Sequence, residues 1–172
     1  MKKAAEILDR ISASLNTIAL WGAVVSVILM VFAAIWQAVA RYVLSSPPAW
    51  TEELARYAMV WCGMLGASCA FRAKTDPTLF PAMLDKKGTS GILWATVRMA
   101  GVILFAAPVL YHSLFGPGWN LSRGYIARMI TRTSHTLDIP MAWFAIAIPI
   151  AFTLIFVHIA AEMAVRLSSG KS

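Results

Sequence analysis

Charge is scarce in this sequence, and acidic charge scarcest. Only 13% of the 172 residues are Asp, Glu, Lys or Arg, and the eight acids all fall at the ends of long apolar runs or between them. A proton-coupled exporter of four helices needs a carboxylate inside the membrane to exchange solute for protons, and no acid here has that position. Glycine-broken helices in matching halves, which build a midplane transport site, are also missing. Cysteine is limited to Cys62 and Cys69. Seven residues apart on one helix, they stand about 10 Å apart along its axis and cannot pair, so they read as small buried apolar residues. No H-E-x-x-H, C-x-x-C, G-x-S-x-G or P-loop spacing occurs, so neither an enzyme nor a metal site is expected.

What the sequence has instead is apolar length. Hydrophobic residues make up 59% of it, in runs too long for the core of a soluble domain of this size. The formal net charge of +7 would suit nucleic acid in a soluble protein. Here the basic residues mostly flank apolar runs, where lipid headgroups and topology account for them, and no aromatic-basic module is visible. Membrane lipids are therefore expected partners, and nucleic acid is not. The first run is uncharged from Ile11 to Ala40. That is longer than a signal-peptide core and no small-residue site closes it, so no cleavable signal is expected.

These features predict an all-α integral membrane protein, a single domain over 1–172 with four transmembrane helices preceded by a short amphipathic interfacial helix. Residues 2–14 put Ala4, Ile7, Leu8 and Ile11 on one face and Lys3, Glu6, Asp9 and Arg10 on the others, the pattern of a helix lying in the membrane interface. The first span is 16–43. Inside it Gln37 stands one turn before Arg41 on the same face, and a polar side chain in lipid tends to face another helix. Ser45-Ser46-Pro47-Pro48 breaks the chain, so the first two spans form an antiparallel hairpin.

The second span, 50–71, opens with Trp50, Glu52, Glu53 and Arg56, runs without charge from Tyr57 to Phe71, and is closed by Arg72. As a helix, Thr51 to Phe71 is about 31 Å long, close to the hydrocarbon thickness of a bilayer. Its acids complement the positive end of the helix dipole. Arg41 comes level with Glu52 and Glu53, so an ion pair across the corner is expected, and the remaining bonding capacity is open to a second chain. Gly63 with Ala67, and Gly66 with Ala70, are small residues four apart that admit a close neighbouring helix, in this chain or another.

A connector follows over 72–90, where Leu79, Phe80, Met83 and Leu84 suit the membrane surface. The third span, 91–115, contains Pro108, expected to bend it, and Arg98, expected to snorkel outward. A loop over 116–138 carries Arg123, Arg128 and Arg132. The fourth span, 139–161, has Pro140 at its start, Trp143 at interface depth and Pro149 inside, and a tail covers 162–172. Four spans put both termini on one side with ten of the fifteen Lys and Arg residues, which the positive-inside rule places in the cytoplasm. The three loop arginines depart from that rule. Their face is a candidate docking surface for something acidic, or an amphipathic contact with headgroups.

A redox alternative would make the chain the membrane anchor of a respiratory complex, with a haem between His112 and His158. The two lie near opposite ends of the third and fourth spans, roughly 20 Å or more apart in depth, so one haem cannot take both. His135 is in the loop, away from either. What remains is a helical subunit with no catalytic or substrate-binding residue of its own, and hence part of a larger complex.

Several pieces, in order, resemble the small membrane subunit of tripartite ATP-independent periplasmic (TRAP) transporters, the DctQ-like family. They are Q-A-V-A-R-Y (Gln37 to Tyr42), W-T-E-E-L-A-R-Y (Trp50 to Tyr57), V-W-C-G-M-L-G-A-S (Val60 to Ser68), Arg72, L-D-I-P-M-A-W (Leu137 to Trp143) and Ile148-Pro149-Ile150. One departure stands out: the family often shows R-x-G-x-H after the second span, and here Lys74 and Asp76 replace the Gly and His.

The resemblance implies a large DctM-like membrane subunit as partner, holding the solute and sodium sites and working as an elevator. It also implies a periplasmic DctP-like binding protein that delivers the solute, usually an organic acid. The small subunit would enlarge the static scaffold in the bacterial inner membrane, with no cofactor of its own. On that basis Gln37, Arg41, Trp50, Glu52, Glu53, Arg56, Trp61, Gly63, Gly66, Ala67, Arg72 and Trp143 are expected at the large-subunit interface. Arg123, Arg128 and Arg132 would face the periplasm, where the binding protein could meet them.

Overall fold

The computed structural model describes residues 2–75 and 88–169. Most of the expected connector (76–87, with its apolar residues and Lys86 and Lys87) and the last three residues, with Lys171, lie outside these. Among the described residues six α-helices form the fold: α1 (Lys2–Tyr42), α2 (Ala49–Ala73), α3 (Gly88–Leu114), α4 (Tyr125–Ile130), α5 (Ala142–Ala145) and α6 (Ala147–Ser169). Four stretches of the described residues are long and apolar enough to cross a bilayer: α1, α2, most of α3, and α5 with α6 taken together. Among the described residues there is no strand beyond two isolated bridges, Gly116 with Asn120 and Thr133 with Pro140. The bundle has a terminus end, where α1 starts and α2 and α6 finish, and a loop end, where α2 and α6 begin.

The separate interfacial helix expected over 2–14 is not there. α1 continues unbroken for 41 residues, about 62 Å at 1.5 Å per residue and twice the hydrocarbon thickness. Nothing in the sequence stops it, since its first glycine is Gly22 and it contains no proline. The first turns are held by the protein's own helices: Asp9 pairs with Arg72 of α2 at 3.0 Å, and Ser12 bonds His158 of α6 at 2.7 Å. The amphipathic pattern is real, but its inward face serves intramolecular packing.

That packing has a simple rule. Ala5, Ser12, Ala19, Ser26, Ala33 and Ala40 are all buried and recur every seven residues, so one stripe of small side chains runs the length of α1. The bulky residues point the other way; Trp21 is 67% exposed, Ile18 69% and Phe32 54%. In a bilayer, lipid is as apolar as leucine, so close backbone approach holds helices together better than large side chains do. At Gly22 even a single methyl group would lie 2.8 Å from Leu65 Cδ1. Ala33 is fully buried, so Ala33→Leu is expected to force α1 off its neighbours at a cost of about 1–3 kcal/mol. Thermal unfolding of the purified chain in detergent measures it, and an unchanged midpoint would refute the packing rule.

α1, α2 and α6 pack against one another as a triangle, and α3 packs on α6. One core cluster joins Phe71 of α2, Ala95 and Met99 of α3, and Ile155 and Ile159 of α6. Arg98 does not snorkel outward. Its guanidinium lies 4.4 Å from the centre of the Phe71 ring, and Nη1 is 3.5 Å from Glu162, because the terminus end offers it both a ring face and a carboxylate. Pro108 lies inside α3, which continues through it. The α5–α6 break at Ile146 has its cause in Pro149, which lacks the N–H that would bond Ala145 and crowds that carbonyl.

α2 ends on Lys74 in the left-handed conformation (φ 56°), with its N–H on Phe71 O at 3.2 Å and that of Thr75 on Ala70 O at 3.0 Å. This is the helix stop that glycine makes most easily. The Gly-to-Lys departure from the family pattern therefore falls at a position whose backbone favours glycine. The side chain compensates by reaching Glu162 at 3.3 Å.

Candidate functional site

α2 has two faces with different uses. Glu53, Tyr57 and Trp61, four residues apart and so on one face, are spent on the chain's own loop. The Glu53 carboxylate accepts from the backbone N–H of His135 (3.2 Å), Thr136 (2.8 Å) and Leu137 (3.3 Å), from the Thr136 hydroxyl, and from Tyr57 Oη at 2.7 Å. An ionised carboxylate is acceptor-only with room for about four partners, and this one is saturated. One turn on, the Tyr57 ring stacks on Phe144 of α5 with centroids 3.3 Å apart. A further turn on, Trp61 Nε1 donates to Trp143 O at 3.1 Å. Thr51, fully buried, starts the helix by donating to Pro48 O at 2.8 Å.

The expected corner ion pair is absent. Glu53 is taken by the loop, Glu52 pairs with Arg56 on the helix surface at 3.0 Å, and Arg41 makes no ion pair among the described residues. Arg41 sits exposed at the end of α1, past which Ser45 turns left-handed (φ 52°) before Pro47. The turn, set by the two prolines, separates charges that sequence spacing alone brings level. Gln37 is half-buried and makes no hydrogen bond among the described residues.

The other face of α2 is open. Glu52, Arg56, Met59, Gly63 and Ala67 are exposed and lie within about a third of the helix circumference at 100° per residue. Gly66 is half-buried beside them, and a Cβ built on Gly63 or Gly66 would meet nothing within 4 Å. The small pairs of α2 therefore do not pack within this chain; the stripe on α1 does that work. A seven-residue recurrence of Ala and Ser was there to be read in the sequence, but it is easily lost among so many small residues.

Of the residues expected at a partner interface, then, Glu53, Trp61 and Arg72 bond inside the chain. Glu52, Arg56, Gly63, Gly66 and Ala67 share the open face of α2, while Trp143 is 66% exposed beside the loop and Trp50 is half-buried.

The loop itself folds tightly. Gly116 N–H bonds Asn120 O at 2.9 Å, and a Cβ on Gly124 would lie 2.2 Å from Leu114 O, so only glycine fits there. Arg123, Arg128 and Arg132 are all exposed, with Trp119 and Leu121 exposed nearby. His112 is at this end, edge-on to Tyr111, and His158 is at the other, so no haem can bridge them. Among the described residues no group of three or more His, Cys, Asp or Glu could hold a metal ion. Cys62 and Cys69 are free and half-buried.

No curated protein matches this chain. The family model for the DctQ component of tripartite ATP-independent periplasmic transporters matches residues 30–169. That stretch takes in the last third of α1, the whole open face of α2, α3, the loop and α6. A family of transporter components, not enzymes, thus accounts for a bundle of four apolar spans whose polar residues serve packing and loop closure. The chain belongs to the DctQ family of TRAP transporter components and is a multi-pass membrane protein.

Proposed function

We propose that this component braces the large membrane subunit of a sodium-coupled TRAP transporter for an organic acid, presenting the open face of α2 to it. The observation that carries this is the pairing of two unfilled glycines with an exposed ion pair on one helix face. Small residues let a foreign helix approach closely in lipid, and Glu52 with Arg56 fixes its register at the headgroup level. Trp50 and Trp143 flank that level, and Gln37 and Arg41 offer unused polar groups on the neighbouring helix. The solute and sodium sites belong to the large subunit, in keeping with a chain whose acids all lie at the ends of its apolar runs or between them. Positive charge concentrated at the terminus end favours cytoplasmic termini in the inner membrane.

The loop then faces the periplasm, and its three arginines suit an acidic patch on the binding protein. A cysteine placed at position 63 of a Cys62- and Cys69-free chain is expected to cross-link to the large subunit in membranes. A cysteine at exposed position 104 of α3 is expected to stay unlinked. Cross-linking only from position 104 would refute the α2 assignment, and solute flux through vesicles holding this chain alone would refute the bracing role.

A further inference from the structure

At the terminus end, α1, α2 and α6 surround a cavity of about 300 Å³ bordered by Asp9, Phe71, Arg72, Lys74, His158 and Glu162. Its hydrogen bonds run in one direction. Arg72 donates through Nη1 to Ser12 Oγ and through Nη2 to Asp9 at 3.0 Å. Ser12 is fully buried, so its hydroxyl proton must also be used, and the acceptor in reach is His158 Nδ1 at 2.7 Å. That puts the imidazole proton on Nε2. His158 is 3% exposed, and its enclosed Nε2 has no hydrogen-bond partner among the described residues, an expensive state for a buried donor.

Among the described residues Lys74 Nζ reaches Glu162 alone and keeps two N–H groups, while both carboxylates already accept from cations. The cavity is thus rich in donors and short of acceptors. Its depth matters as well. Asp9 with Arg10, Arg72 and Glu162 are the last charges before the apolar stretches of their helices, which is headgroup level, and Phe71 and Val165 add apolar walls.

We propose that this cavity binds the phosphodiester of an anionic phospholipid from the leaflet on the side of the termini. Arg72 and Lys74 supply the charge and the N–H donors, and the His158 ring forms part of the wall beside them. Asp9 and Glu162 share the cavity and repel a dianion more than a monoanion, so it selects a singly charged lipid diester over free inorganic phosphate. The acyl chains would lie along the apolar helix surfaces below. The proposal depends on the chain spanning a bilayer and not on which solute the transporter carries.

The test is native mass spectrometry of the delipidated full chain, offered phosphatidylglycerol, diacylglycerol or inorganic phosphate. Phosphatidylglycerol is expected to be retained, and the other two are not. Lys74→Gln is expected to weaken retention about five-fold, the loss for one cation near the headgroups, while elution and helical content stay unchanged. In the protein labelled with nitrogen-15 at histidine, the His158 Nε2 resonance is expected to shift on adding phosphatidylglycerol. Equal retention of diacylglycerol, or of phosphatidylglycerol by Lys74→Gln, would overturn the site. Retention of inorganic phosphate in place of the lipid would overturn the choice of ligand, and an unmoved His158 signal would remove that residue from it.

Discussion

Leucine at both Gly63 and Gly66 is expected to leave this chain folded and to strip it from the large subunit. Neither glycine has an atom of its own chain within 4 Å of the place where a Cβ would go, so the added side chains meet only lipid or detergent. Leucine also prefers a helix to glycine by somewhat under 1 kcal/mol per residue, so the thermal midpoint of the isolated chain should hold or rise. In the assembled transporter the same atoms would enter a helix–helix contact. Overpacking there costs about 1–3 kcal/mol for each site, which weakens association by at least about thirty-fold for the pair. Co-purification with the large subunit reads the effect. A double variant that still co-purifies fully would show that α2 turns its open face to lipid. Gly22→Leu provides the contrast. It crowds Leu65 inside the bundle, so the isolated chain itself should lose stability.

The second large effect is expected at Glu53. Replacing it with lysine puts an ammonium where three backbone N–H groups, one threonine hydroxyl and the Tyr57 hydroxyl converge. The turn at His135 to Leu137 then loses the one side-chain acceptor that α2 gives it among the described residues, and the chain entering α5 is no longer held. Glu53→Gln should fail as well, less completely, because an amide has one acceptor oxygen and turns an NH2 toward donors. Glu52→Gln is the control, since it removes only a solvent-exposed pair within one helix turn, a kind of interaction that contributes little. Limited proteolysis of the chain in detergent should show new cleavage between Thr131 and Met141 in Glu53→Lys and none in Glu52→Gln. An intact loop in Glu53→Lys would mean that Trp61 and the Tyr57–Phe144 stack suffice to hold it. Loss of the transporter complex in Glu53→Lys would then need a direct contact with the partner to explain it.

These expectations also mark how far the sequence could be read. The lengths of the apolar runs, the proline pair after α1 and the scarcity of mid-span charge determined an all-α membrane bundle with four spans, because in lipid the backbone is satisfied only in helices or closed barrels and unbroken apolar runs this long suit helices. The ordered pieces from Gln37 to Ile150 determined the family. The direction in which each side chain points was another matter. Glu52 and Glu53 are adjacent and chemically alike, yet a rotation of 100° sends one to the surface and the other into a loop more than eighty residues away.

In the same way Arg98 turned inward to a ring and a carboxylate on other helices, and α1 ran straight through the supposed interfacial segment to reach Arg72 and His158. Sequence periodicity gives the spans and their faces, because those follow from solvent and helix geometry. Only the tertiary structure decided which face meets which neighbour, because that choice rests on close contacts between residues distant in the chain, and small side chains, which make those contacts possible in lipid, leave the weakest trace in a hydrophobicity pattern.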